Sequence, residues 1–354
     1  MAGRTYDVAL VDRIAERAKV VEEDGLAIES RPVPDDDREN VVDPRVLALT
    51  LKKLSGEVAI IPMNDVVTMR GRLNKPTYPI ISTKVEHRVE LMEFPDRWIP
   101  LHVWTPENHE AGTPVLCYFH GGGWTFGQVA AYENAMAYLA EVSGCVVTYT
   151  EYRLAPENPF PKPLLDCSAT VDWVVAHADE LGIDPDKVAV MGDSAGGSLA
   201  NGVVQMQASR NPIKLDVCLY GFVCGDPVPE DFTYDWFPVI EEQKAAAKNR
   251  VDRIKDSIDA GNMYGLHEDI YQDPLVGAMA AKDVSMFPRT LVVYGGYDYL
   301  RIDSQRFARK LADGGVDVRT IRYEGCDHGW FESCGEMPQA EDLCRVVAEE
   351  LRKL

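Results

Sequence analysis

The pattern of apolar and polar residues changes near residue 85 of this 354-residue chain. Beyond that point, short runs of β-branched and aromatic residues alternate with stretches of helical periodicity. Eight runs are predicted to be strands: 85–92, 98–105, 115–119, 145–150, 188–191, 215–220, 290–294 and 318–323. Helices are predicted at 130–142, 163–181, 195–209, 301–314 and around 343–351. Because several of the strands are continuously apolar, this alternation predicts a mostly parallel α/β sheet that is covered on both faces.

The first 84 residues show helical spacing and no strong strand pattern. Leu10, Ile14, Ala18 and Val21 recur as one face of a predicted helix. Pro44 suits the first turn of a second helix, where a missing N–H costs nothing. We therefore interpret residues 1–84 as an N-terminal helical segment that precedes a catalytic domain at 85–354.

Residues 226–275 interrupt the strand–helix rhythm between the sixth and seventh predicted strands. A segment of this length is too long for a simple loop. Ala247, Val251, Ile254 and Ile258 mark a helix inside it. We interpret it as an inserted cap segment that packs with residues 1–84.

The charge balance argues against two classes of partner. The chain has 57 acidic and 36 basic residues and a net charge of −21, which repels nucleic acid phosphates and anionic lipid headgroups. No signal peptide and no membrane-length apolar run is apparent, so a cytoplasmic location is the default expectation. The eight cysteines form no Cys-x-x-Cys pair, which predicts free thiols and no metal site.

A Gly-x-Ser-x-Gly pattern at residues 192–196 places Ser194 between a predicted strand and a predicted helix. The pattern alone is weak, because about one chain in ten of this length carries it by chance. The alternative is a glycine-rich turn that is merely capped by a serine. The strand–turn–helix context favours a nucleophile elbow, in which small neighbours allow a sharp turn that exposes the serine hydroxyl.

A His-Gly-Gly-Gly run at residues 120–123 follows the apolar strand 115–119. Acyl transfer passes through an oxyanion that needs fixed N–H donors, and glycines let backbone amides approach it closely. The predicted donors are the amides of Gly121, Gly122 and Ala195. His120 is predicted to brace this loop by hydrogen bonding rather than to act as a base.

The general base is predicted to be His328, which lies in a turn after the last strand. Asp298 follows the preceding strand, so the order Ser194, Asp298, His328 is that of the α/β-hydrolases. Asp303 and Asp327 are rivals for the acid. Asp303 is expected on the helix that follows, and Asp327 on the surface of the histidine loop.

These motifs resemble the hormone-sensitive-lipase-like family of esterases over residues 85–354. The resemblance rests on the runs at 120–124, 192–197, 298–301 and 328–329, and on Tyr-Arg-Leu-Ala-Pro-Glu at 152–157 with Phe-Pro at 160–161 and Asp166. It implies an α/β-hydrolase fold with an eight-stranded sheet, a helical cap, no cofactor and short-to-medium acyl esters as substrates. It makes a homodimer plausible and assigns the 152–157 segment a structural role.

The chain departs from the family pattern at Glu151, where an aspartate is common, and in the residues between Asp298 and Asp303. The 226–275 segment is longer than usual, which puts the cap geometry in doubt. Trp124 and Trp330 flank the catalytic loops and are weaker candidates for contacts with a small-molecule ester. The alternatives are a non-catalytic receptor on this fold, which the presence of His328 disfavours, and an amidase or acyltransferase with the same triad.

Overall fold

The computed structural model describes residues 3–59, 65–72, 78, 80–224, 226, 228–230, 232–259, 264–265 and 269–354. Ten strands form one sheet within this part of the chain. They are β1 (Lys19–Glu23), β2 (Leu26–Arg31), β3 (Val85–Phe94), β4 (Arg97–Pro106), β5 (Thr113–Phe119), β6 (Val146–Thr150), β7 (Ile183–Asp193), β8 (Ile213–Leu219), β9 (Arg289–Gly295) and β10 (Val318–Tyr323).

The strand order is β1-β2-β10-β9-β8-β7-β5-β6-β4-β3. All pairs from β2 through to β6 are parallel, whereas β1–β2, β4–β6 and β3–β4 are antiparallel. This confirms the expected α/β fold with a mostly parallel sheet. Because parallel neighbours end at the same edge, the turns after β5, β7, β9 and β10 are brought together there.

Helices flank the sheet in two groups, in which α4 packs on α10 and α5 packs on α7. The α-helices of the described residues are α1 (Ala9–Glu16), α2 (Pro44–Leu54), α3 (Val66–Arg72), α4 (Glu133–Ser143), α5 (Lys162–Ala176), α6 (Ala178–Leu181), α7 (Ala195–Gln207), α8 (Lys244–Asp259), α9 (Arg301–Asp313) and α10 (Pro338–Leu351). None of the helices within the described ranges is long and apolar enough to span a membrane. All eight cysteines are free and buried.

The hairpin formed by β1 and β2 corrects the expectation that residues 1–84 contain no strong strand. The first helix ends at Glu16, so Ala18 and Val21 do not continue it. The chain instead turns at Asp24 and Gly25, whose φ angles of 49° and 71° are those of a tight hairpin. β2 then adds to the edge of the sheet beside β10, so the eight expected strands become ten.

The other predicted parts of the cap region are present as helices. Pro44 begins α2, and the apolar residues of the inserted segment lie on α8. α2 packs against α8. The N–H of Val42 also donates to the Gln243 side chain at 2.7 Å, and the N–H of Ile240 donates to the Asn40 carbonyl at 3.0 Å. The N-terminal segment and the insertion therefore contact each other, as their interpretation as one cap requires.

Candidate active site

Ser194 occupies the sharp turn between β7 and α7. Its φ of 54° lies in the left-handed region that a serine adopts only under constraint from its surroundings. A Cβ on Gly192 would lie 2.1 Å from the Gly196 carbonyl oxygen, and one on Gly196 would lie 2.0 Å from the Phe119 carbonyl oxygen. The prediction that the turn needs small neighbours is confirmed, because any side chain at these positions would collide with backbone.

His328 lies between Ser194 and Asp298. Its Nε2 is 2.8 Å from the Ser194 Oγ, and its Nδ1 is 2.7 Å from the Asp298 Oδ2. Asp298 is fully buried, and its other oxygen accepts the N–H of Leu300 at 2.9 Å. The three residues predicted from chain order therefore form one hydrogen-bonded line at the carboxyl edge of the sheet.

The two rival carboxylates are engaged elsewhere. Asp303 lies on α9, as expected, and its carboxylate is 3.5 Å from Arg306. Asp327 is not on the surface of the histidine loop, contrary to our expectation. It is buried and pairs with Arg250 of the inserted segment at 3.4 Å, which links the loop to α8.

The glycine loop requires one correction to the predicted oxyanion donors. The N–H of Gly121 donates to the Asp193 carboxylate at 2.7 Å in a buried position, so its only proton is already used. The N–H groups of Gly122 and Gly123 donate to no acceptor among the described residues. Ala195 is the first residue of α7, where an N–H has no partner within the helix. The structure therefore disfavours Gly121 as a donor. Gly123, which the sequence analysis did not name, has an N–H without an acceptor in the described part of the chain.

Asp193 is a second residue that the sequence analysis missed. Its buried carboxylate also accepts hydrogen bonds from the hydroxyls of Tyr118 at 2.7 Å and Tyr132 at 3.1 Å. Burial and the nearby Glu332 raise the pKa of Asp193 to about 7, although the hydrogen bonds to it act in the opposite direction. The residue beside the nucleophile thus holds the glycine loop in place through the N–H of Gly121.

His120 braces the same loop, as predicted. Its Nδ1 is 2.8 Å from the Gly121 carbonyl, and its ring stacks on Tyr152 with centroids 4.1 Å apart. Burial lowers the pKa of His120 to about 4, which leaves the imidazole neutral near pH 7. The following residue of the 152–157 segment, Arg153, pairs with the buried Asp166 at 2.8 Å, in keeping with a structural role for that segment.

The two candidate tryptophans differ in their surroundings. Trp330 is buried, with its ring against Tyr323 at 4.7 Å and Tyr220 at 5.9 Å, and its contact with substrate stays a prediction. Trp124 directly follows the glycine loop and stacks on Tyr264 of the inserted segment at 4.3 Å. Its contact with substrate stays a prediction.

Known proteins are similar to this chain in both sequence and architecture. A family model described as alpha/beta hydrolase fold matches residues 116–332. The chain belongs to this family. An arylesterase of Saccharolobus solfataricus is 30% identical over 271 residues, covering 76% of this chain and 84% of the relative. The carboxylesterase NlhH of Mycobacterium tuberculosis is 30% identical over 249 residues, covering 69% and 75%.

Solved structures of this α/β-hydrolase family superpose on most of the chain. A hyperthermophilic esterase from Pyrobaculum calidifontis has a TM-score of 0.71 at 26% identity and covers 88% of this chain and 98% of its own. EstE1, a carboxylesterase cloned from a metagenomic library, has a TM-score of 0.66 at 28% identity and covers 77% and 90%. The resemblance to hormone-sensitive-lipase-like esterases is confirmed.

Proposed function

We propose that this protein is a serine carboxylesterase that hydrolyses short-to-medium acyl esters. The observation that carries the proposal is the continuous hydrogen-bonded line from Ser194 through His328 to Asp298. The esterases among its relatives support the same class of reaction.

The first half of the reaction forms an acyl-enzyme. His328 Nε2 takes the proton of the Ser194 hydroxyl as the oxygen attacks the ester carbonyl, and Asp298 stabilises the imidazolium that results. His328 then gives this proton to the departing alcohol. Water enters, loses a proton to His328, and attacks the acyl carbon, which releases the carboxylic acid and restores Ser194.

The oxyanion of each tetrahedral intermediate is assigned to the N–H groups of Gly122, Gly123 and Ala195. These donors are supported by their lack of acceptors among the described residues and by their position beside the nucleophile. Asp193 is a positioning residue in this scheme, since it fixes the loop through the N–H of Gly121. No cofactor is needed for this reaction, because a positioned base and fixed amides supply the proton transfer and charge stabilisation.

The alternatives predict different measurements. A non-catalytic receptor has no use for a serine and a histidine aligned at 2.8 Å, and this alignment disfavours it. An amidase or acyltransferase would use the same three residues, so only turnover of matched esters, amides and acyl acceptors separates it from an esterase.

The direct test is the Ser194→Ala variant with p-nitrophenyl butyrate as substrate. Removal of the nucleophile should lower kcat by at least about 10⁴-fold without loss of the fold. Ser198→Ala is a matched control one turn later on the same helix, where the buried hydroxyl donates to the Val276 carbonyl at 2.6 Å. It should keep activity within a few-fold. Retained turnover in Ser194→Ala would refute the proposal.

A further inference from the structure

A cavity of about 490 Å³ opens between the first turns of α9, the β1–β2 hairpin and the inserted segment. None of the three triad residues lines it. Part of its lining is apolar and aromatic, formed by Trp236, Phe237 and Ile302. Three arginines of α9 also line the cavity, which are Arg301, Arg306 and Arg309. Its volume lies in the range of about 300 to 1,000 Å³ that small-molecule sites occupy.

These arginines have weak carboxylate partners, which is unusual in a chain with 57 acidic and 36 basic residues. The contact of Arg301 with Glu23 is 3.9 Å, and that of Arg306 with Asp303 is 3.5 Å. Arg309 has no ion pair with any of the described residues. Four other arginines that are partly or fully buried have carboxylates at 2.5 to 2.8 Å, in the pairs Arg31–Asp342, Arg45–Asp43, Arg153–Asp166 and Arg319–Glu29.

Two carboxylates, those of Glu23 and Asp24, also line the cavity beside the three guanidinium groups. Glu23 accepts hydrogen bonds from Arg322 at 2.7 Å and from Gln305 at 3.2 Å. Asp24 lies in the hairpin turn, and its carboxylate is more than 4 Å from every described cationic side chain. Burial and the neighbouring Arg322 lower the pKa of Arg301, which indicates that its charge is incompletely compensated. The cavity therefore presents more guanidinium than carboxylate.

We propose that this cavity is a second binding site, for a small carboxylate that bears an aromatic or extended apolar group. The carboxylate is bound by Arg306 and Arg309, whose planar guanidinium groups match its geometry. The apolar group packs on Trp236 and Phe237, where Arg301 already lies over the Phe237 ring at 5.7 Å from its centroid. Arg306 is about half exposed, so a ligand can reach it from solvent.

The site can be tested by calorimetric titration of the full chain with 4-phenylbutyrate and with its neutral amide. We expect saturable binding of the carboxylate at one site per chain in the cavity, and binding of the amide at least about tenfold weaker. The Arg306→Gln/Arg309→Gln double variant should weaken binding of the carboxylate at least about tenfold and leave hydrolysis of p-nitrophenyl butyrate unchanged.

Arg88→Gln is the control, because Arg88 lies on β3 at the far edge of the sheet and pairs with Glu90 at 2.7 Å. It should bind 4-phenylbutyrate like the wild type. Three results would overturn the proposal: no saturable binding, equal affinity for the amide, or equal affinity in the double variant. The last result would place the carboxylate elsewhere, including the cleft above Ser194. Because the double variant lies outside the catalytic residues, failure of the site is distinguishable from failure of the esterase assignment.

Discussion

Replacement of Asp298 by asparagine tests the acid of the triad, because it exchanges one carboxylate oxygen for an NH₂ group and changes nothing else. Both carboxylate oxygens are in use, one by the Leu300 N–H at 2.9 Å and the other by His328 Nδ1 at 2.7 Å. An asparagine has only one oxygen. If that oxygen keeps the bond from Leu300, the amide NH₂ faces His328 and forces Nδ1 to become an acceptor. The proton then moves to Nε2, which can no longer accept the proton of Ser194.

This change of tautomer should lower kcat by about 10³ to 10⁴-fold, as loss of the orienting acid does in other serine hydrolases. The loss corresponds to about 4 to 5.5 kcal/mol of transition-state stabilisation. KM should change little, because no substrate contact is removed. The assay is steady-state hydrolysis of p-nitrophenyl butyrate, with a thermal melt to show that the variant is folded.

The matched control is Asp303→Asn, which changes an aspartate only five residues away that is also buried. Burial raises the pKa of Asp303 to about 6, and among the described residues its carboxylate pairs with Arg306 and not with His328. We expect its activity to stay within a few-fold of the wild type. A larger loss in Asp303→Asn than in Asp298→Asn, or a loss below tenfold in Asp298→Asn, would refute the reasoning.

Substitutions at four further positions test the oxyanion loop and the core. Gly122→Ala should lower kcat by about 10²-fold or more, because its Cβ would lie 2.1 Å from a backbone oxygen. Gly123→Ala has room for its Cβ and should lower kcat less. Equal losses of kcat would contradict this reasoning. Asp193→Ala should reduce kcat more than Asp193→Asn, because asparagine keeps one oxygen that can accept the N–H of Gly121. A larger loss of kcat in Asp193→Asn would contradict the positioning role of Asp193. Asp216 has two buried oxygens without hydrogen-bond partners in the described structure, and burial raises its pKa from 3.8 to about 8. Ionisation of the buried Asp216 carboxylate therefore destabilises the folded state increasingly as pH rises between these values. Asp216→Val should raise the free energy of unfolding, measured with urea, more at pH 8 than at pH 5, by up to a few kcal/mol. A gain in stability that does not depend on pH would contradict this.

The parts of the fold and site that follow from local sequence were predictable. Ser194, Asp298 and His328 each follow a predicted strand. Parallel strands bring the turns that follow them to one edge of the sheet, independently of the loop sequences. Continuous apolar runs at 115–119 in β5, 188–191 in β7 and 291–294 in β9 made these strands visible without any contact information.

The β1–β2 hairpin was missed because its buried positions are partly polar. Ser30 and Arg31 are buried only because Glu324 and Asp342, far away in the sequence, satisfy them. A local signal was nevertheless present. Asp24 and Gly25 form the dipeptide typical of a two-residue hairpin, followed by alternating apolar residues.

The oxyanion loop shows a different limit of sequence reasoning. The motif gives three glycines, but which amide is free depends on the Asp193 carboxylate, which arrives from another strand at 2.7 Å from the N–H of Gly121. Trp330 shows the same limit, since its position beside His328 in sequence does not reveal that Tyr323 and Tyr220 enclose its ring.

The most direct test of the central claim is the site of covalent labelling by a p-nitrophenyl alkylphosphonate. This reagent phosphonylates an activated serine and releases one p-nitrophenol for each adduct formed. If Ser194 is the nucleophile, the burst equals one p-nitrophenol per chain, esterase activity falls in proportion, and peptide mass spectrometry finds the adduct on Ser194 alone. An adduct on another residue that accompanies the loss of activity, or full activity after Ser194 is labelled, would contradict the account.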